Sequence, residues 1–204
     1  MQKLLDGLRT FQRQVFQKKQ VLFQTLSRQQ DPRALFITCS DSRVDPTLLT
    51  QTDPGDLFIL RTAGNLIPTY GSAIGGSTAT VEYALSVLDI KEVIVCGHTD
   101  CGAMKALLHP EKLENLPAVK VWLQQAETTQ RIVQDHFQHL SGDELFAATI
   151  KENVVLQLDH LRTHPAVASK LRKGDLRLHG WVYSIESGVV WTYDFEKKEF
   201  IELQ

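Results

Sequence analysis

Two short apolar runs, each broken off by residues that carry chemistry, constrain this chain more than any other feature. Ala34-Leu-Phe-Ile-Thr38 leads into Cys39, Ser40, Asp41, Ser42 and Arg43, and Val93-Ile-Val-Cys96 leads into Gly97, His98, Thr99, Asp100 and Cys101. Runs of this length that are continuously apolar, with no alternation, mark strands covered on both faces, as in a parallel sheet. In an open parallel sheet ligands gather beyond the carboxyl ends of the strands. Cys39, His98 and Cys101 are therefore expected to meet there, although they are far apart in sequence.

Two thiols and an imidazole form a nitrogen-plus-sulfur set that suits zinc, and three protein ligands where a structural site takes four leave a position open for water or substrate. Such a site reads as catalytic. His-x-x-Cys alone is weak, because free cysteine is often a small buried hydrophobe and a histidine after a strand is often a satisfied core group. Cys96, inside the second run, is read as such a hydrophobe. Asp41 and Arg43 strengthen the metal reading. As a solvated surface ion pair they would contribute little, whereas beside a metal cysteine the carboxylate orients a bound hydroxide or becomes a fourth ligand.

Taken together, Cys39-Ser-Asp-Ser-Arg43, Arg61-Thr-Ala-Gly-Asn65, Glu82-Tyr-Ala84 and Gly97-His-Thr-Asp-Cys-Gly-Ala103, in this order and spacing, resemble a beta-class carbonic anhydrase of the bacterial and cyanobacterial branch. The resemblance runs from the N-terminal helix to the last strands. It implies one zinc ion per chain on Cys39, His98 and Cys101, with Asp41 and Arg43 as the catalytic dyad. It also implies substrate contacts from Gln30, from the backbone amide of Gly102 and from a pocket wall of Phe58, Ala63 and Tyr83, the two aromatics reaching across a subunit interface. The implied reaction is the reversible hydration of carbon dioxide to bicarbonate and a proton, a lyase activity in which hydroxide generated at zinc is oriented by Asp41 and Arg43. Hydrolysis of carbon disulfide or carbonyl sulfide is the alternative on the same scaffold, since both are isosteric electrophiles. A non-catalytic relative would be expected to lack a ligand or the dyad, and none is missing.

The family usually has Asn where Thr62 stands, so that loop is expected to hydrogen-bond differently. One branch holds inhibitory bicarbonate on a tryptophan, an arginine and a tyrosine. The matching positions are Phe36, Arg61 and Tyr183, and Phe36 has no N–H to offer, so activity is expected to decline gradually on acidification, without cooperative bicarbonate inhibition. The long C-terminal extension of carboxysomal relatives has no counterpart here, so recruitment to carboxysomes is not expected.

The rest of the sequence predicts an α/β fold, a mostly parallel central sheet of four to five strands flanked by helices. One domain is expected over 1–204, with an N-terminal helical arm over 1–28 and the zinc-binding core over 33–204. Leu4, Leu8, Phe11 and Val15 form a one-sided apolar stripe on the arm that needs a cover. This points to self-association as a dimer, with a tetramer or octamer as further possibilities. Gly71, Gly75 and Gly76 read as a turn before a helix carrying Val81, Ala84, Leu85 and Leu88, since no phosphate-loop or dinucleotide pattern accompanies them. Further helices are expected to start at Gly102, to run from Pro117 through Ile132, and to run from a capping box at Ser141-Gly-Asp-Glu144 to His164-Pro165. His136, His139, His160 and His164 read as solvated or capping residues. His179, in a C-terminal strand and hairpin, reads as structural in preference to a proton relay.

With 24 acidic and 22 basic residues interspersed, the chain lacks the basic patch of a nucleic-acid protein. No run approaches the roughly 20 apolar residues of a membrane span, and no export signal opens the chain. Three cysteines, two of them assigned to metal, leave no disulfide framework, and a cytoplasmic location is expected.

Overall fold

Strand β1 (Ala34–Cys39) is buried along its whole length, which is why its apolar run has no alternation. It lies between β2 (Leu57–Thr62) and β3 (Glu92–His98), parallel to both, and β4 (Arg177–Tyr183) continues parallel beyond β3. The chain then doubles back through β5 (Val190–Asp194) and β6 (Glu199–Glu202), both antiparallel, giving a six-stranded sheet of order β2-β1-β3-β4-β5-β6. The computed structural model describes residues 1–72 and 75–203. The sheet exceeds the expected four to five strands. β6 has four residues, of which only Phe200 and Ile201 are apolar, too few for a pattern to show in sequence. Its pairing with β5 across a turn at Lys198 makes it a strand.

The chain divides into two compact units, Met1–Asp31 and Pro32–Gln204. In the first, α1 (Gln2–Thr10) passes through a π-helical turn at Phe11–Val15 into α2 (Phe16–Lys18), and α3 (Gln20–Leu26) follows after the backbone leaves helical geometry at Lys19. Phe16 and Phe23 stack with ring centroids 5.2 Å apart, and Phe11 meets Phe23 edge-on at 5.8 Å. Leu4, Leu8, Phe11 and Val15 are all exposed.

In the second unit the sheet is flanked by α4 (Pro46–Thr50), α5 (Gly76–Ser86), α6 (Gly102–Leu108), α7 (Pro117–Leu123), α8 (Glu127–His136), α9 (Gly142–Arg162) and α10 (Pro165–Lys173). The segment expected as one helix from Pro117 through Ile132 is two, separated by a 3₁₀ turn at Gln124–Ala126. Ser141 precedes α9, yet its side chain makes no cap hydrogen bond. Gly142 stands at φ 54°, so the chain enters the helix in left-handed geometry and the expected capping box does not close.

Helix α9 fixes the main core. Ile150, Val154, Leu158 and Leu161 recur at helical spacing and pack with Leu35, Ile37, Val93 and Val95 from one face of the sheet. Ala34, Phe36, Ile94 and Cys96 form a smaller cluster on the opposite face. The close approach of α9 depends on two glycines. A Cβ on Gly97 would stand 2.8 Å from Val154 Cγ2, and one on Gly180 would stand 2.9 Å from Leu158 Cδ1. Among the described residues no helix is long and apolar enough to cross a membrane.

Gly97→Ala is expected to destabilise the fold by about 1–3 kcal/mol, the usual cost of overpacking a filled core. The β-branched Val154 has little rotamer freedom with which to yield. Urea denaturation monitored by tryptophan fluorescence would measure it, and an unchanged midpoint would contradict this account of the packing.

Candidate metal centre

Parallel pairing of β1 with β3 aligns Thr38 with Cys96, so the two strands end together and release Cys39 and His98 side by side. After His98 the chain reverses through Asp100, at φ 60°, and Cys101 becomes the residue that precedes α6. One ligand atom from each of Cys39, His98 and Cys101 lies within 4.8 Å of the others, and all three residues are buried. His98 Nδ1 donates to the Thr99 carbonyl at 2.8 Å, which leaves the lone pair on Nε2. That Nε2 is buried and has no hydrogen-bond partner. An orphaned buried nitrogen facing two thiols is a poor arrangement for a protein core and a good one for a metal ion. The donor set fits zinc.

The thiols are unequal. S–H donation from Cys101, then His98 and the backbone N–H groups of Asp41 and Gly64, hold Cys39 down to about 4 against the opposing effect of burial. The Gly64 N–H lies 3.3 Å from Cys39 Sγ. Cys101 is pushed up, first because its S–H donates to the Cys39 sulfur, then by burial and by the second negative charge it would place beside Cys39. A cation between the two sulfurs removes that conflict and favours both thiolates.

The loop that carries Gly64 is held from α9. Asn153 Nδ2 donates to the Gly64 carbonyl at 3.1 Å, Gln157 Nε2 donates to Asn153 Oδ1 at 3.0 Å, and Gln157 Oε1 accepts from the Ile67 N–H at 2.8 Å. His160 Nδ1 donates to the Ile67 carbonyl at 2.7 Å, and His164 Nε2 donates to the Pro68 carbonyl at 3.0 Å. His160 and His164 are thus buried or half-buried loop anchors, a correction to the expectation of solvated or capping residues, while His136 and His139 are exposed. Gly64 itself, at φ 74°, admits no side chain, since a Cβ would stand 2.8 Å from Ala103 Cβ. Sequence reasoning missed Asn153 and Gln157. The available signal was their i, i+4 spacing directly beside the apolar stripe of α9, where a core helix has no reason to place amides.

Asp41 and Arg43 meet as a bidentate pair. Arg43 Nε donates to Oδ1 at 3.0 Å and Nη2 to Oδ2 at 2.8 Å, with the Arg43 N–H on Oδ1 at 2.9 Å. The guanidinium therefore holds the Asp41 carboxyl well below the usual carboxylate range. Asp41 Oδ2 lies 3.9 Å from His98 Nε2, beside the cluster. Arg61 fastens the backbone beneath this pair, donating to the carbonyls of Cys39 at 3.0 Å, Asp41 at 2.6 Å and Val44 at 2.8 Å. Its Nε and Nη2 donors are spent on the loop, and Phe36 is fully buried, edge-on to Trp181 at 6.0 Å. The Thr62 hydroxyl donates to the Leu66 carbonyl at 2.9 Å and so closes the loop that holds Gly64.

Ala63 lies in that same loop, exposed, its carbonyl accepting from Trp122 Nε1 at 2.8 Å, and Gly102 is exposed at the start of α6. Phe58 and Tyr83 stack on one another at 6.0 Å. Phe58 pairs with Leu35, four residues short of Cys39 along β1, which places it roughly 13 Å of strand away from this chain's own cluster. Gln30 is an exposed residue of the N-terminal unit. His179 Nε2 donates to Glu92 Oε2 at 2.8 Å, near the opposite end of the strands from the cluster. Cys96 is buried, and burial pushes its thiol up to about 12, as suits an inert core residue.

A parallel sheet whose strand ends converge on a Cys₂His cluster able to hold a metal ion, with an Arg-clamped carboxylate beside it, defines an α/β enzyme. A family model described as carbonic anhydrase matches residues 34–190. A carbonic anhydrase of Synechocystis sp. is 51% identical over 205 residues, covering 100% of this chain and 75% of the relative. One from Pseudomonas aeruginosa is 47% identical over 203 residues, covering 100% of this chain and 92% of the relative. The solved structure of the beta-carbonic anhydrase CcaA superposes with a TM-score of 0.98 at 51% identity, over 100% of this chain and 92% of that one. The chain belongs to the beta-class carbonic anhydrase family, a family of lyases.

Gln157→Leu strips the Ile67 N–H of its acceptor in a buried setting, which costs about 1–3 kcal/mol. Chemical denaturation is expected to register that loss, and a variant as stable as the parent would show that the amide ladder does not hold the loop.

Proposed function

We propose that this chain catalyses the reversible hydration of carbon dioxide to bicarbonate and a proton, with one zinc ion held by Cys39, His98 and Cys101. The observation that carries this reading is the orphaned His98 Nε2 facing two thiols, with the Asp41 carboxylate clamped 3.9 Å away. When bound, zinc supplies hydroxide at neutral pH by lowering the pKa of a coordinated water to about 7.

The chain's own residues direct that nucleophile. Asp41, kept ionised by Arg43, is acceptor-only, so it takes a hydrogen bond from the attacking hydroxyl and turns the oxygen lone pair toward the carbon of carbon dioxide. Arg43 fixes the direction of that acceptor through its two parallel bonds. The substrate is small and uncharged, so an apolar wall suffices. Ala63, with Phe58 and Tyr83 from a neighbouring subunit, forms it in this reading, while Gln30 and the Gly102 amide donate to substrate oxygens. The roughly 13 Å of strand between Phe58 and its own cluster favours the neighbour as the source of the aromatics. Free thiols at all three cysteines suit a reducing cytosol.

The purified protein is expected to contain one zinc per chain and to hydrate carbon dioxide in stopped-flow assays, in preference to hydrolysing carbon disulfide or carbonyl sulfide. Cys101→Ser is expected to lose both metal and activity. Asp41→Ala is expected to keep the metal and lose about 10²-fold or more in kcat, as for removal of a positioned catalytic group. Full zinc occupancy and parental turnover in Cys101→Ser would defeat the assignment.

The active unit in this reading is at least a dimer, which covers the exposed Leu4, Leu8, Phe11 and Val15 and completes each pocket. Sedimentation at assay concentration should show no monomer, and a fully active monomer would contradict it.

A further inference from the structure

We infer that Asp100 is a positioning residue, through which the metal-binding loop fixes the direction of the Asp41 carboxylate and keeps it off the metal position. The geometry is independent of the proposed reaction, while the expected effect on rate rests on it.

A guanidinium has five N–H donors in a rigid fork. Arg43 uses two on the oxygens of Asp41, and Asp100 takes two more: Nη1 donates to Asp100 Oδ2 at 2.7 Å, and Nη2 to the Asp100 carbonyl at 3.1 Å. The other carboxylate oxygen of Asp100 is held by Lys105 Nζ, from the next turn of α6. Lys105 Nζ also sits 5.5 Å from the centre of the Phe146 ring, on α9. Asp100 itself lies between the ligands His98 and Cys101, at φ 60°, so neither its carbonyl nor its side chain shifts without moving the loop that carries both ligands.

This brace matters because the dyad is poorly anchored without it. Arg43 and Asp41 are two residues apart on one loop, and the Arg43 side chain is 43% exposed. The outer side of Arg43 and Asp100 faces an open cavity of about 520 Å³, lined also by Thr99, Phe146 and Ile185. Water there competes for the guanidinium, and a lone exposed ion pair holds its geometry weakly. Loss of the Asp100 carboxylate leaves Arg43 Nη1 without its acceptor, with only the backbone carbonyl of residue 100 still on Nη2, and lets the guanidinium turn toward the cavity. Asp41 then keeps the Arg43 N–H on Oδ1, but its Oδ2, already 3.9 Å from His98 Nε2, loses its clamp and is able to swing onto the metal, since carboxylate oxygen is an ordinary zinc ligand. The open position would be closed by the residue that serves it.

The test uses the full chain with cobalt(II) in place of zinc, and thiocyanate as a probe for the open coordination position, followed in the visible spectrum. Asp100→Ala is expected to keep one metal per chain and to weaken thiocyanate binding about tenfold or more, the worth of one hydrogen bond to a charged group. Its zinc form is expected to lose kcat by a similar factor with KM little changed. Asp100→Asn, which keeps an acceptor oxygen for Arg43, is expected to restore most of both. Adding Asp41→Ala to Asp100→Ala should return thiocyanate affinity to that of Asp41→Ala alone. Parental thiocyanate affinity in Asp100→Ala, whatever its rate, overturns the inference. Should Asp100→Ala fail to hold metal, Lys105→Met, which leaves Asp100 in place but unpinned, decides by the same criterion with a smaller expected loss. A parent that binds cobalt but does not hydrate carbon dioxide would defeat the proposed reaction, and the thiocyanate comparison would still decide on Asp100.

Discussion

The parallel register between β1 and β3 is the constraint on which the rest of this structure depends. It brings Thr38 level with Cys96, so that both strands end at one place and deliver a thiol and an imidazole there. That delivery needs the two strands to be central and covered, and the cover is α9. The helix lies close because Gly97 and Gly180 present no side chain to it. A backbone approach of this kind ties the core to the site, since Gly97 immediately precedes His98.

The segment 64–68 beside the cluster is buried, and it carries backbone polar groups that must be satisfied. The chain meets this with polar side chains drawn from regular elements. Asn153, Gln157 and His160 on α9 serve the segment from Gly64 to Ile67, and Arg61 at the end of β2 serves the carbonyls of Cys39, Asp41 and Val44. Burying amides is costly unless their bonds are made, so the arrangement on α9 has few alternatives. The result is a rigid seat from which Gly64 N–H reaches the Cys39 sulfur.

Electrostatics around the cluster follow the same economy of partners. Two thiols that share one space resist full ionisation, which is visible in the opposite displacement of Cys39 and Cys101. Around them Asp41 and Asp100 face Arg43 and Lys105, two negative charges against two positive ones. A divalent cation on two thiolates would leave the neighbourhood near neutrality, and the carboxylates could remain ionised beside it.

Much of the site was legible in the sequence because its chemistry is local. Cys39, Asp41 and Arg43 follow one strand, His98 and Cys101 follow another, and strands buried on both faces announce themselves as unbroken apolar runs. The mostly parallel sheet was readable for the same reason. The short strand β6 was not, because its identity comes from pairing with β5. Nor was the break between α7 and α8, where the helical periodicity continues while the backbone tightens at Gln124–Ala126. The partners of the site were beyond local pattern altogether. Asn153 and Gln157 lie some ninety positions from the loop they hold, and Asp100 reaches Arg43 across 57 residues. Residue type and spacing determined which groups could bind a metal and which could orient a nucleophile. Only the tertiary structure decided what holds them, because a hydrogen-bond donor has no preferred partner until the fold has brought one within reach.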